Sequence, residues 1–259
     1  MSAIGASIAG IGFWSDGLPS WQAARGYVAG GALETDAPRR PAPRLLAPNE
    51  RRRAPESVAV ALEVAMAACE AAAHDPAALP SVFASGHGDF AITDYMCRTL
   101  AEDPRAISPI RFHNSVHNAA AGYWTIGTGC MATTTAISAG RATFAEALLE
   151  AMVQLADGAP AVLLAAYDTT APGPLATMTA SHGLLGGALV LLREGPGTRL
   201  RARLVDASTT PGGGRLAALR HDNAMAPMLP LFDALAGGGD LALLDAGPGR
   251  ALRVEIAHG

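Results

Sequence analysis

The stretch MATTTAISAGRATFAEALLEA, residues 131–151, reads as a short strand that turns through Ala136, Ile137, Ser138, Ala139 and Gly140 into a helix. A helix N-terminus stabilises negative charge, so a nucleophile held at such a bend is activated by the dipole behind it. Here the apex residue is Ile137, which has neither a lone pair to attack with nor a proton to lose. Ser138, beside it, becomes a nucleophile only with a base in hydrogen-bond reach, and the sequence nominates none. His113 and His117 in HNSVHN are four apart, a spacing that on one helical face brings two imidazoles together. The glutamate of H-E-x-x-H is missing, and only His182 or His221 follows as a third ligand. No metal site is expected, and capping and pocket lining are the roles assigned to this pair. Ser85, His87 and Asp89 in SGHGD have the residue types of a hydrolase triad, but a relay needs groups converging from separate elements. A turn at a strand exit is expected there instead. PGGGR at 211–215 lacks the strand and acidic residue of a dinucleotide site and reads as a flexible link.

The chain has 259 residues, half of them apolar and 16% charged, which suffices for one large core. With a net charge of -4 and no basic stripe interleaved with aromatics, no nucleic-acid partner is expected. Arg39, Arg40, Arg44, Arg51, Arg52 and Arg53 cluster in a proline-rich stretch that reads as a solvated connector or a docking edge. All 19 basic residues are arginine. A lysine-bearing phosphate loop and a Schiff-base lysine are therefore excluded, and no cofactor is expected. Cys69, Cys97 and Cys130 have no paired spacing, which argues for reduced thiols; Cys97 and Cys130 are expected in the core. No apolar run reaches membrane length, and a cytoplasmic location without a membrane span is expected.

The elements that must position these residues alternate. A strand in ASIAGIGFW precedes a helix in LPSWQAARGYVAG, and Pro55 opens a long helix that Asp75-Pro76 closes. PSVFASG is a strand, FAITDYMCRTLAED a helix, PRAISPIRF extended chain, and NSVHNAAAGYWTIGTG a helix that Asn114 or Ser115 can cap. After the strand and helix of 131–157 comes the apolar strand APAVLLAAYD. HGLLGGALVLLREG and TRLRARLVDAS are expected as an antiparallel pair joined at Gly195-Pro196-Gly197. One helix over 215–236 and the strands DLALLDAG and ALRVEIAHG finish the chain. Alternation of this kind argues for an α/β layer fold. Around the helix of 138–157, Arg141, Glu146, Glu150 and Gln154 make a single polar stripe, so that helix must be covered on most sides.

Together these stretches resemble the β-ketoacyl synthases, in particular the short, chain-length-factor-like partners found with aryl-polyene and xanthomonadin-type pigment clusters. RFHNSVHNAAAGYWTIGTGC is similar to the ketosynthase helix with an N-x-x-A-G segment, which lines the acyl pocket near the dimer interface. TTTAISAGRATFAEALLEA is similar to the strand, elbow and buried helix that read T-A-C-x-x-G in active members. The resemblance covers residues 2–194 and implies a thiolase-like layered α/β fold. It implies one domain over 1–259, with a complete ketosynthase N-terminal-like half (1–195) and a reduced second half (196–259), whose three strands remain to build a second sheet. Carried over by residue, it puts Ile137 where the nucleophilic cysteine belongs. The two histidines and the lysine of the second half have no counterpart. The resemblance therefore implies a non-catalytic subunit that forms a heterodimer with a full-length active ketosynthase and meets acyl carrier protein only indirectly. Phe112, His113, Asn114, Val116, His117, Asn118, Ala120, Ile137 and Ser138 are its expected pocket and interface residues. The alternatives are a stand-alone acyltransferase or thioesterase using Ser138 or a cysteine, and a homo-oligomeric scaffold.

Overall fold

Strand β1 (Ile4–Ser15) runs down the middle of a mixed sheet and uses both of its edges. In chain order follow α1 (Trp21–Val28), α2 (Pro48–Arg53), α3 (Glu56–Ala72), β2 (Ser81–Ala84), α4 (Phe90–Glu102), α5 (Pro109–His113), α6 (Ala119–Thr128), β3 (Thr134–Ile137), α7 (Thr143–Ala156), β4 (Ala161–Asp168), β5 (Leu185–Leu192), β6 (Arg199–Asp206), α8 (Arg215–Leu219), α9 (Leu229–Gly237), β7 (Leu241–Asp245) and β8 (Arg250–Ala257). The computed structural model describes residues 3–209 and 213–259; Pro211 and Gly212 of the expected flexible link lie outside them. The strands form one sheet in the order β3-β2-β4-β5-β1-β6-β8-β7. β3, β2 and β4 are parallel, and the pairs from β4 to β7 are antiparallel.

Two expectations about the sheet are corrected. β5 and β6 are not a hairpin: β1 lies between them, pairing with β5 over Ser7–Ser15 and with β6 over Ile4–Ser7. β6, β8 and β7 do not build a second sheet either; they extend the first beyond β1. The sheet curls so that β7 runs beside the start of α7, where Arg141 Nε donates to Asp245 Oδ2 at 2.9 Å. The second layer over α7 is thus reached by bending one sheet.

Each face of the sheet has its own core. On one side α3 and α6 pack Val60, Leu62, Val64 and Trp124 against Phe83, Leu163, Ala165 and Val190. On the other, α7 and α9 pack Phe144, Leu148, Met152 and Phe232 against Val82, Leu164, Leu189 and Leu200. As the single polar stripe requires, α7 buries Thr143, Phe144, Ala145, Ala147, Leu148, Ala151, Met152 and Leu155. The α3 side depends on two glycines. A Cβ on Gly10 would lie 2.6 Å from Ala72 N, and one on Gly12 2.9 Å from the carbonyl carbon of Val64, so α3 rests directly on the β1 backbone.

The helices differ from expectation where proline and caps act. The extended chain before residue 114 contains α5, because Ser108 caps it and Pro109 supplies its first turn. The helix expected over 114–129 starts only at Ala119. The helix expected over 215–236 is two: Pro227 opens a 3-10 turn between α8 and α9, and Asp233 of α9 accepts from Leu216 N and Ala217 N to cap α8. Among the described residues no helix is long and apolar enough to cross a membrane.

Candidate functional site

The bend after β3 is built as the sequence implies. Ile137 ends the strand, half-buried against the α7-side core, and its carbonyl accepts from Ser85 N at 3.1 Å. Gly140 takes φ +55°, which a side chain would strain. Thr143 Oγ1 accepts from Ala139 N at 2.9 Å and donates to Gly140 O at 2.7 Å, closing the bend onto α7. Ser138 is exposed, and its Oγ donates to Gly86 O at 2.9 Å. That proton goes to a carbonyl, which cannot remove it, so the hydroxyl has no activating base here.

Behind the bend lies a buried polar hub that the sequence did not assemble. Ser85 Oγ donates to Asp168 Oδ1 at 2.6 Å, Gly86 N donates to Asp168 Oδ2 at 2.9 Å, and His87 Nε2 is 3.6 Å from Asp168 Oδ1. The acid that meets Ser85 and His87 is therefore Asp168 from the end of β4. Asp89 instead caps α4 through Ile92 N and accepts from Ser57 Oγ. This is no relay, because serine and histidine both point at the carboxylate. His87 is further fixed by stacking on Phe90, with ring centroids 4.1 Å apart. The one signal for Asp168 was an acid ending an otherwise apolar strand.

Burial raises the Asp168 carboxyl above its ordinary range, while His87, Ser85 and the Gly86 and His87 N–H groups pull it back. The folded protein thus holds this proton more tightly than the unfolded chain. The group stabilises the fold most below its unfolded value of 3.8, and that contribution declines as pH rises through the folded value. Asp168→Asn should flatten this decline when denaturation midpoints at about pH 4 and about pH 7 are compared. Asp168→Ala, which strands Ser85 and Gly86 N–H without an acceptor, should cost about 3 kcal/mol at either pH. Equal pH dependence in the parent and the Asn variant would contradict this account.

The histidine pair separates. His113 ends α5 and is exposed; His117 sits in the turn before α6, where Nε2 bonds Ser85 O at 2.9 Å. They share no helical face, which corrects the spacing argument, and no cluster of three potential metal ligands occurs among the described residues. Of the other expected pocket residues, Phe112 and Val116 are 62% and 52% exposed, Asn118 is exposed, and Ala120 is buried in the α3-side core. Asn114 is buried, and its Oδ1 has no hydrogen-bond partner. It lines a cavity of about 480 Å³ with Ile92, Ile110, Arg111, Thr169 and Pro172.

Cys130 is buried as expected, as is Cys69, but Cys97 is exposed, against expectation. Cys97 falls on the solvent side of α4, which buries only Ile92 and Asp94. Burial, with Glu70 and Asp75 nearby, pushes the Cys69 thiol up to about 12. Brief iodoacetamide treatment of the native protein should therefore modify Cys97 alone, as read by peptide mass; modification of Cys69 without unfolding would contradict this.

Residues 21–236 match the family described as beta-ketoacyl synthase, N-terminal domain. No protein with a curated description matches the sequence. The fold is similar to a chain of the complex of the ketosynthase ApeO with its chain length factor ApeC from Xenorhabdus doucetiae. That match has a TM-score of 0.78 and 19% identity, covering 96% of this chain and 98% of that one. A chain of the ishigamide ketosynthase/chain length factor gives 0.70 at 15% identity, over 100% of this chain and 99% of that one. A β-ketoacyl synthase from Burkholderia phymatum gives 0.60 at 12%, over 93% and 71%.

Proposed function

Since the chain belongs to the β-ketoacyl synthase N-terminal-domain family, we propose that it is a non-catalytic, chain-length-factor-like subunit that pairs with an active β-ketoacyl synthase and shapes its acyl pocket. The observation that carries this reading is the apex of the bend: Ile137 has no attacking atom, and the neighbouring Ser138 hydroxyl donates to a carbonyl. An active partner then supplies the nucleophile, the decarboxylation machinery and the main contact with acyl carrier protein. The substrates are malonyl and polyenoyl groups, in a pathway of the aryl-polyene type.

A free sheet edge supports the pairing. β3 is the terminal strand, and Ser81 N and Ser85 N donate to Thr133 O and Ile137 O. In a parallel ladder the alternate residues Thr134 and Ala136 then point their own N–H and C=O groups away from the sheet. Beside this edge Met131 is 95% exposed and Ile126, on the neighbouring α6, 81%. An open edge flanked by apolar side chains invites a strand from another chain. The cavity lined by Ile92, Ile110 and Asn114 is the part of this subunit assigned to the acyl pocket, and the exposed Phe112 and Val116 are assigned to the surface that faces the partner.

Co-expression with an active β-ketoacyl synthase from the same source, followed by size-exclusion chromatography, tests the reading. The expected result is a single complex that makes products of defined length, shortened by Ile110→Trp. A purified chain that loads acyl groups by itself, or that self-associates and ignores the ketosynthase, would overturn it.

A further inference from the structure

β6, β8 and β7 have one covered face and one bare one. Leu200, Ala202, Val254, Ile256, Ala242 and Leu244 point to the helix side. On the opposite face the register aligns Arg201, Glu255 and Leu241 in one row and Arg203, Arg253 and Leu243 in the next. Arg199 continues the β6 row, beside Ser7 of β1 and Ala257 of β8. Arg199, Arg201 and Arg203 are exposed, and the ion pair between Arg253 and Glu255 is the one found on this face among the described residues. At its end lies a trough of about 650 Å³, floored by Ala3, Gly5 and Ser7 and walled by Arg193, Arg199 and Arg201. Five arginines thus stand against Glu194 and Glu255 on a chain whose net charge is -4.

We propose that this face docks an acidic amphipathic helix of a protein partner. The surface is polarised across its strands: arginines follow β6, while the exposed Leu241 and Leu243 follow β7, two strands away. Two strand spacings are roughly 9.5 Å, about the diameter of a helix. A helix lying over β8 therefore sets one flank above the arginines and the other above the leucines. Along β6, alternate arginines repeat at about 6.7 Å, close to the roughly 6 Å between carboxylates four apart on a helix. A polyphosphate would match the arginines but would leave the exposed Leu241 and Leu243 uncovered. The face lies at the far end of the sheet from β3, so the proposal is independent of the pairing described above.

The probe is a fluorescent synthetic helical peptide with glutamates four apart on one stripe and leucines on the adjacent stripe, added to the whole chain. Saturable binding is expected, weakening several-fold as salt rises from about 50 to about 200 mM. Arg201→Glu with Arg203→Glu should weaken it at least about tenfold, and Leu243→Asp alone several-fold. These side chains are exposed, so thermal unfolding should hardly move. The proposal is overturned if the peptide fails to bind, if the variants bind it equally, or if Leu243→Asp has no effect. It is also overturned if single-stranded DNA or phosphatidylglycerol vesicles bind more tightly than the peptide.

Discussion

Ala136→Pro is expected to lower the affinity for the proposed ketosynthase partner at least about 100-fold, a loss near 2.7 kcal/mol, while leaving the isolated subunit's unfolding midpoint nearly unchanged. Proline removes one N–H, and at Ala136 that group points away from β2. The parallel ladder inside the molecule therefore keeps its bonds. A strand added from outside loses a donor and meets a pyrrolidine ring at the centre of a four-residue edge. The preceding Thr135 is already extended, as a residue before proline prefers. Thr135→Pro is the internal control: its N–H faces β2, so that change should weaken the fold itself. Co-elution of Ala136→Pro with the ketosynthase at parental affinity would remove the β3 edge from the interface.

Gly12→Ala should be among the most damaging single-methyl changes in the chain, with an expected loss of about 3 kcal/mol; Gly12→Val should leave no folded protein. The added Cβ would overlap the Val64 backbone of α3, and backbone cannot rotate away as a side chain can. Relief requires α3 to lift from β1. That would break its contacts with three central strands and open the core around Trp14 and Val64. Urea denaturation of Gly12→Ala, compared with Gly5→Ala, isolates the effect, since a Cβ on Gly5 would meet only Leu200 O at an ordinary 3.5 Å. Equal midpoints for the two variants would show that α3 adjusts without cost.

Much of this was legible because local signals agreed with the tertiary outcome. The α7 stripe gave a buried helix, the apolar run of β4 gave a strand covered on both faces, and the spacing around Ile137 gave the bend. What was hidden depends on partners distant in sequence. Nothing in ASIAGIGFW states that it will separate two strands nearly two hundred residues later, so an apparent hairpin became β5-β1-β6. Asp168 becomes a hub only because β4 ends beside the exit of β2, eighty-three residues from Ser85. The break between α5 and α6, set by Pro109 and the late start of α6 at Ala119, was also hidden; it leaves Phe112 and Val116 exposed and Asn114 inside.

The curl of the sheet bears on stoichiometry. A flat sheet with two bare margins can recruit neighbours at both ends and grow into a filament. Here the β7 margin is brought round to the turn preceding α7 and clasped by the bond from Arg141 to Asp245. The two margins therefore differ in their surroundings, and an assembly joined through the β3 margin of each chain alone would terminate at two chains.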